Sequence, residues 1–265
     1  MLLGPKSLWL VVMALLLGSL PVIAQSPKPE TSRNNLSLDE IVTRMEVARV
    51  RNKQMPPFLL TREYKMFHGD EARPESQVKA EINVVPPHQR DYRIVESSGN
   101  DRGEKVVRKI LDHEATVEKS DHSATALVRE NYEFADLGRE TFKGVNCYVL
   151  GLKARREETG LLNGRAWIDP KTFDILKMEG TLAKSPSWWV KDVNVVVNFG
   201  QMAGVWTQIS SDAMANVRML GRYTIQGRAL NIQTGDALAM NARPRRPTER
   251  YHNGVPATFI YGTRR

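Results

Sequence analysis

From Phe58 to Gln226 the chain is dominated by short runs in which apolar and polar residues alternate, separated by turns rich in Gly, Pro and Asp. Val193, Val195, Val197 and Phe199 stand opposite Asp192, Asn194 and Asn198; Leu176, Met178 and Leu182 share a face in the same way, as do Val217, Met219, Tyr223 and Ile225. Side chains of a strand repeat every two residues, so each run has one apolar face and one wet face. The runs are Phe58–Phe67, Val78–Val85, Asp91–Glu96, Glu133–Glu140, Val145–Lys153, Gly164–Ile168, Asp174–Leu182, Trp188–Phe199, Val205–Ser210 and Met214–Gln226. Strands at this spacing, roughly 8–12 residues, predict an antiparallel sheet and not βαβ units. A long antiparallel sheet twists and curls, and its apolar concave face needs a cover.

Few helices are available to supply it. Ser37 and Glu40 form a capping box, after which Ile41, Met45 and Ala48 fall on one face and Arg44, Arg49 and Arg51 elsewhere. This helix should stop before Pro56-Pro57, because a residue preceding proline disfavours the helical region. Gly103–Leu111 fits a short helix better than a strand, and Asp112–Glu130 is polar, irregular or helical. The class is therefore α+β, and either a helix or a ligand fills the concavity.

The N-terminal segment is a targeting device. Lys6 precedes an unbroken apolar run, Leu8–Leu17, broken by Gly18-Ser19 and Pro21, and Val22-Ile23-Ala24 offers a small-residue cleavage site. The run falls short of the roughly 20 residues of a spanning helix, so 1–24 reads as a signal peptide cleaved after Ala24, with a retained anchor as the alternative. Residues 25–36 read as a flexible linker, 37–232 as the folded domain and 233–265 as a basic, disordered tail. The formal charge of +8 resides mostly in that tail, where Arg243, Arg245, Arg246, Arg250, Arg264 and Arg265 face only Glu249. Export and a near-neutral body exclude nucleic acid as a partner. The tail either touches an anionic membrane surface or is simply solvated.

One run of residues carries a family resemblance: Asn163-Gly164-Arg165-Ala166-Trp167-Ile168-Asp169, then Met178-Glu179-Gly180, then Ser185-Pro186-Ser187-Trp188-Trp189-Val190, with Val217-Arg218-Met219-Leu220-Gly221-Arg222-Tyr223 beyond. It resembles the outer-membrane lipoprotein-sorting proteins of the LolA/LolB-like superfamily, in an uncharacterised bacterial branch. The early helix and the hairpin containing Gly144-Val145-Asn146-Cys147-Tyr148-Val149-Leu150 also match. The resemblance spans most of residues 37–230. It implies a curved antiparallel sheet forming an incomplete, half-open β-barrel covered by a few helices. It also implies a hydrophobic cavity for acyl chains of lipoproteins or other amphiphiles in the periplasm, without cofactor or covalent chemistry.

The residues themselves offer little catalysis. The single cysteine, Cys147, lies mid-strand between Val145 and Val149, where a small buried hydrophobe is expected and no histidine partner is in view. His113-Glu114 opens like a zinc-protease motif, but Val117 stands where the second histidine belongs. Asp112, His113, Asp121 and His122 are too widely spaced for ordinary ligand pairs. Glu157-Glu158, Asp70-Glu71 and Glu130 to Glu133 lie in turn-like stretches that hold no pair across a cleft. The expectation is a protein that is not an enzyme and needs no cofactor or metal.

The expected binding face consists of Leu176, Met178, Leu182, Val193, Val195, Val197, Phe199, Val217 and Met219, with Trp188 at its lip. Trp188 and Trp189, being adjacent, must point to opposite sides of a strand. The first functional reading is a periplasmic carrier or chaperone of an amphiphile. The second is an envelope sensor of the same fold that reads lipid or lipoprotein and signals to a membrane-protein partner.

Overall fold

The computed structural model describes residues 36–86, 89–119 and 125–235. The segments expected to form a signal peptide, a linker (except Leu36) and a basic tail (beyond Gly235) lie outside the described residues, as do Asp121 and His122.

Helix α1 spans Leu38–Asn52 and begins with the expected capping box: the Ser37 hydroxyl accepts from the Glu40 amide, and the Glu40 carboxylate accepts from the Ser37 amide at 2.9 Å. Ile41, Val42, Met45 and Ala48 form its buried stripe, each larger apolar side chain contributing about 1.5–3 kcal/mol. The helix is fastened to one end of the sheet. Arg51 and Asn52 donate to Asp174 at 2.7 and 2.8 Å, Arg129 donates to Asp39 and Glu46, and Arg44 lies over the Phe173 ring.

Ten strands follow: β1 (Phe58–His68), β2 (Ser76–Val85), β3 (Gln89–Gly99), β4 (Tyr132–Phe142), β5 (Val145–Ala154), β6 (Leu162–Ile168), β7 (Ile175–Leu182), β8 (Val190–Met202), β9 (Val205–Val217) and β10 (Gly221–Thr234). Helix α2 (Asp101–Lys119) lies between β3 and β4, so the ambiguous segment at Gly103 is helical and runs eight residues past Leu111. The strands form one sheet in the order β3-β2-β1-β10-β9-β8-β7-β6-β5-β4, antiparallel throughout. Two meanders, β1–β3 and β4–β10, are thus joined by pairing of β1 with β10. The ends β3 and β4 do not pair, so the barrel is incomplete, as expected. Both edges discourage further pairing: β3 is strongly charged, and β4 is interrupted between Asp136 and Arg139, with Gly138 in the left-handed region.

Alternation is strictest in β1 and β2, where Phe58, Leu60, Arg62, Tyr64 and Met66 are buried opposite Val84, Ile82, Ala80, Val78 and Ser76. Val107 and Leu111 of α2 complete this cluster, so α2 caps the β1–β3 end of the face.

One expected strand is divided. Met214–Gln226 is not continuous: β9 ends at Val217, Arg218-Met219-Leu220 turn, and β10 begins at Gly221, which pairs back with Val217. Met219 and Gly221 both adopt positive φ, 65° and 86°. The alternation shared by Val217, Met219 and Tyr223 is therefore coincidental across a turn. Leu176 also leaves its expected face. A register shift between Trp167 and Ile168 rotates the start of β7, and Leu176 packs with Cys147, Val149 and Trp167 on the outer side.

Several carboxylates titrate with the fold. Glu179 is partly buried, which raises its pKa, but Lys177 and Arg165 outweigh this and hold it below the ordinary 4.5; Glu40 is lowered by the Ser37 backbone and side-chain hydrogen bonds. Depressed carboxylate pKa values give stability that is present above the unfolded pKa and lost as pH falls through the folded one. Denaturation midpoints should therefore decline as the pH is lowered below about 4.5, and Glu179→Gln should lower the midpoint at neutral pH, flatten that acid limb and leave the midpoint at low pH little changed.

Candidate functional site: an uncapped stretch of the inner face

Cross-strand partners share a face, so the register traces two rows across the sheet. One runs Leu150, Ala166, Met178, Val197, Ser211, Gly227, Tyr64, Val78. Its neighbour runs Leu152, Gly164, Gly180, Val195, Ala213, Ile225, Met66, Ser76. Both rows are buried at their two ends and half-exposed in the middle, at Met178, Val197 and Ser211 in the first and from Gly164 to Ile225 in the second. The ends are closed by helices or by packing. The middle, on β7–β10, presents valine, methionine and isoleucine around a floor of Gly180, Ala213 and Ser211, and is about 14 Å wide at ordinary strand spacing.

The β1–β3 end is plugged. The gap beneath α2, lined by Tyr64, Met66, Val78, Val107 and Ile225, holds no water-sized space. Arg62, 2% exposed and inward-pointing, donates to Glu114 of α2 at 3.3 Å and to the Tyr64 hydroxyl at 3.3 Å, while Arg90 of β3 reaches the same carboxylate. Burial opposes the Arg62 charge, but Glu114 and Tyr64 outweigh it and hold its pKa above the ordinary value. Burial likewise pushes the Tyr64 phenol up. This cluster ties α2 to β1 and β3 at once. A second hollow of about 410 Å³, lined by Thr61, Lys79, Glu81, Arg93 and Glu96, is polar and crossed by the Lys79–Glu96 and Arg93–Glu81 ion pairs, which suits no acyl chain.

The expected binding residues separate into three groups. Met178, Val195 and Val197 lie together in the uncapped middle; Leu182 pairs with Leu162 beside it, and Phe199 follows Val197 past a register shift. Val193 is buried at the start of β8. Leu176 is on the outer side, Val217 closes the β9–β10 turn, and Trp188 and Met219 stand in turns, 65% and 96% exposed. Gly180, Ala213 and Ile225 belong with the middle group; Gly180 and Ile225 were legible as inward positions of their strands, whereas Ala213 fell between two expected runs that the structure joins in β9. Arg62 was legible too, at the third inward position of β1.

Among the described residues, the other candidates raised by the sequence are packed or hydrogen-bonded within the fold. Cys147 is fully buried, its thiol pushed up by burial and its Sγ 3.4 Å from the Val145 carbonyl. Asp112 accepts from the Tyr92 hydroxyl, and Glu114 is engaged by Arg62 and Arg90.

No family model matches the chain, and no curated protein matches it in sequence. Solved structures do match. A LolA superfamily protein from Nitrosomonas europaea is 9% identical over 76% of this chain and 95% of its own, with a TM-score of 0.41. An outer-membrane lipoprotein-sorting protein domain from Vibrio parahaemolyticus is 12% identical over 74% and 92%, with a TM-score of 0.43. The MucA/MucB complex of Pseudomonas aeruginosa matches at 12% identity over 74% and 98%, with a TM-score of 0.26. These matches are distant, and cargo and partners are left to be read from this chain's own residues.

Proposed function

We propose that the protein is a non-enzymatic periplasmic carrier or chaperone that holds the acyl chains of a lipoprotein, or of another amphiphile, against the uncapped inner face of β7–β10. The observation that carries this reading is the exposure profile of the two rows: apolar residues in register, sealed at both ends and open between them. Apolar surface left half-wet in the middle of a sheet is a cost to the free protein that a ligand removes. Half a dozen methylenes laid on it contribute roughly 5 kcal/mol before the cost of immobilising the chain. The small floor residues keep the channel shallow and continuous without dictating headgroup chemistry.

Native mass spectrometry of the protein purified from an envelope fraction, followed by organic extraction, tests the proposal. A co-purifying acylated species is the expected result. An empty protein held in a stable complex with a membrane protein would favour the sensor reading instead, and an empty protein with no companion would overturn both. Val195→Asp should reduce acyl-chain binding by about a hundredfold, since a carboxylate there must lose water to admit a methylene chain, yet preserve folding because solvent already reaches the position. Retained binding by a folded Val195→Asp protein would place the ligand elsewhere.

A further inference from the structure

At one end of the sheet two turns carry apolar side chains that the fold does not use. Trp188 and Trp189, in the β7–β8 connection, stack on each other with centroids 3.8 Å apart while remaining 65% and 46% exposed. Beside them the β9–β10 turn presents Met219, 96% exposed, and Leu220, 45% exposed. Pairing of Val190 with Val217 and a 2.8 Å hydrogen bond from the Arg218 amide to the Trp189 carbonyl hold the two turns side by side. The main chain is strained to do so: Met219 has φ 65°, a region a methionine seldom adopts. A side chain almost wholly in water gives no core packing in return.

The charges on the two turns are mostly basic. Lys184, Lys191 and Arg218 are exposed, and the Arg218 guanidinium lies 5.8 Å from the Trp188 ring centroid. Arg222 pairs with Asp70 of the adjoining turn after β1, where Glu71 is also exposed, and Asp192 is an exposed acid at the start of β8. Tryptophan is favoured where apolar and wet surroundings meet, and lysine and arginine extend from such a site to headgroup phosphates.

We propose that the tip formed by Trp188, Trp189, Met219 and Leu220 docks the protein on an anionic lipid bilayer, the aromatic pair and methionine entering the interface while Lys184, Lys191 and Arg218 meet the phosphates. The site does not depend on which cargo the inner face takes. It lies at the ends of β7–β10, the strands that bear the uncapped stretch, so docking brings the open face next to the membrane.

The test uses the full chain and vesicles of equal parts phosphatidylcholine and phosphatidylglycerol, so that leader and tail are identical in every variant. The emission of the Trp pair, taken as the difference between wild type and Trp188→Phe/Trp189→Phe, should be quenched when the vesicles carry brominated acyl chains. Trp188→Ser/Trp189→Ser/Met219→Ser should weaken partitioning on the order of a hundredfold, with the circular dichroism spectrum unchanged. Lys184→Gln and Lys191→Gln should each weaken it roughly fivefold, and only on the anionic vesicles. An unquenched Trp pair overturns the proposal, as does a folded serine variant that partitions like wild type. An unquenched pair that crosslinks to an envelope protein would assign the tip to a protein partner.

Discussion

Replacing Glu114 with alanine should destabilise the domain by about 3 kcal/mol, the lower part of the range for removing one partner of a buried ion pair. Arg62 is 2% exposed and its guanidinium has the Glu114 carboxylate as its counter-charge, with the Tyr64 hydroxyl as a neutral second acceptor. Truncating Glu114 leaves the charge in place and withdraws its compensation, while Arg90 loses the same partner. For a domain of this size the loss corresponds to a fall of about 10 °C in Tm. Arg62→Met/Glu114→Leu should recover most of it, because a buried ion pair replaced by apolar side chains of similar volume is close to neutral. The control is Glu81→Ala: Arg93, its partner, is largely exposed, so this pair should contribute less than about 1 kcal/mol. If Glu114→Ala shifts Tm no more than Glu81→Ala does, Arg62 is solvated by some other route and α2 is not held by this cluster.

The sheet was legible wherever one face is buried and the other wet, because burial then writes itself into every second residue. Phe58 to Met66 and Val78 to Val84 are the clearest cases, and both strands lie where alternation predicts. The helix at Ser37 was legible from its capping chemistry alone. What alternation does not encode is a change of register. Leu176 turned outward because β7 slips by one residue at its start, and a one-residue slip reverses every side chain before it. The β9–β10 turn was hidden for a related reason. Arg218-Met219-Leu220 has no Asn, Asp or Pro, and Gly221 alone signalled a break. The pairing of β1 with β10 was equally beyond reach, since partners more than 150 residues apart, such as His68 and Tyr223, share no local pattern.

The site was legible in part for the same reason. Met178, Val195 and Val197 came from alternation, and the register brings them together. Which inward residues stay half-exposed is decided by where two helices happen to lie, and a strand's own sequence carries no record of that. Arg62 is buried at an inward position of β1. A charge at an inward position of a strict alternation is a signal in itself, since such a residue must find a partner or unfold the strand, and its partner proved to be Glu114, the residue that had drawn attention only as half of an incomplete metal motif.

Gly180→Ala is expected to cost about 3 kcal/mol, and Gly164→Ala a similar amount, at the upper end of ordinary overpacking. The two glycines face each other directly across β6 and β7. A Cβ on Gly180 would stand 2.2 Å from the Asn163 carbonyl oxygen and 2.8 Å from the Gly164 Cα; one on Gly164 would stand 2.0 Å from the Glu179 oxygen. These obstacles are backbone, so no rotamer change relieves them, and the strands must part along a ladder that also holds Ala166 against Met178 and Leu162 against Leu182. Glycine inside a strand commonly marks such a close backbone approach. The pair also explains why Asn163-Gly164 and Glu179-Gly180, prominent among the residues that carry the family resemblance, belong together: they are the two halves of one contact, and they leave the floor of the uncapped stretch bare. Because both substitutions fill the same gap, their effects should be well short of additive in the double variant. Urea denaturation at unchanged m-value measures this. A Gly180→Ala protein as stable as wild type would mean that β6 and β7 lie farther apart than the register here requires.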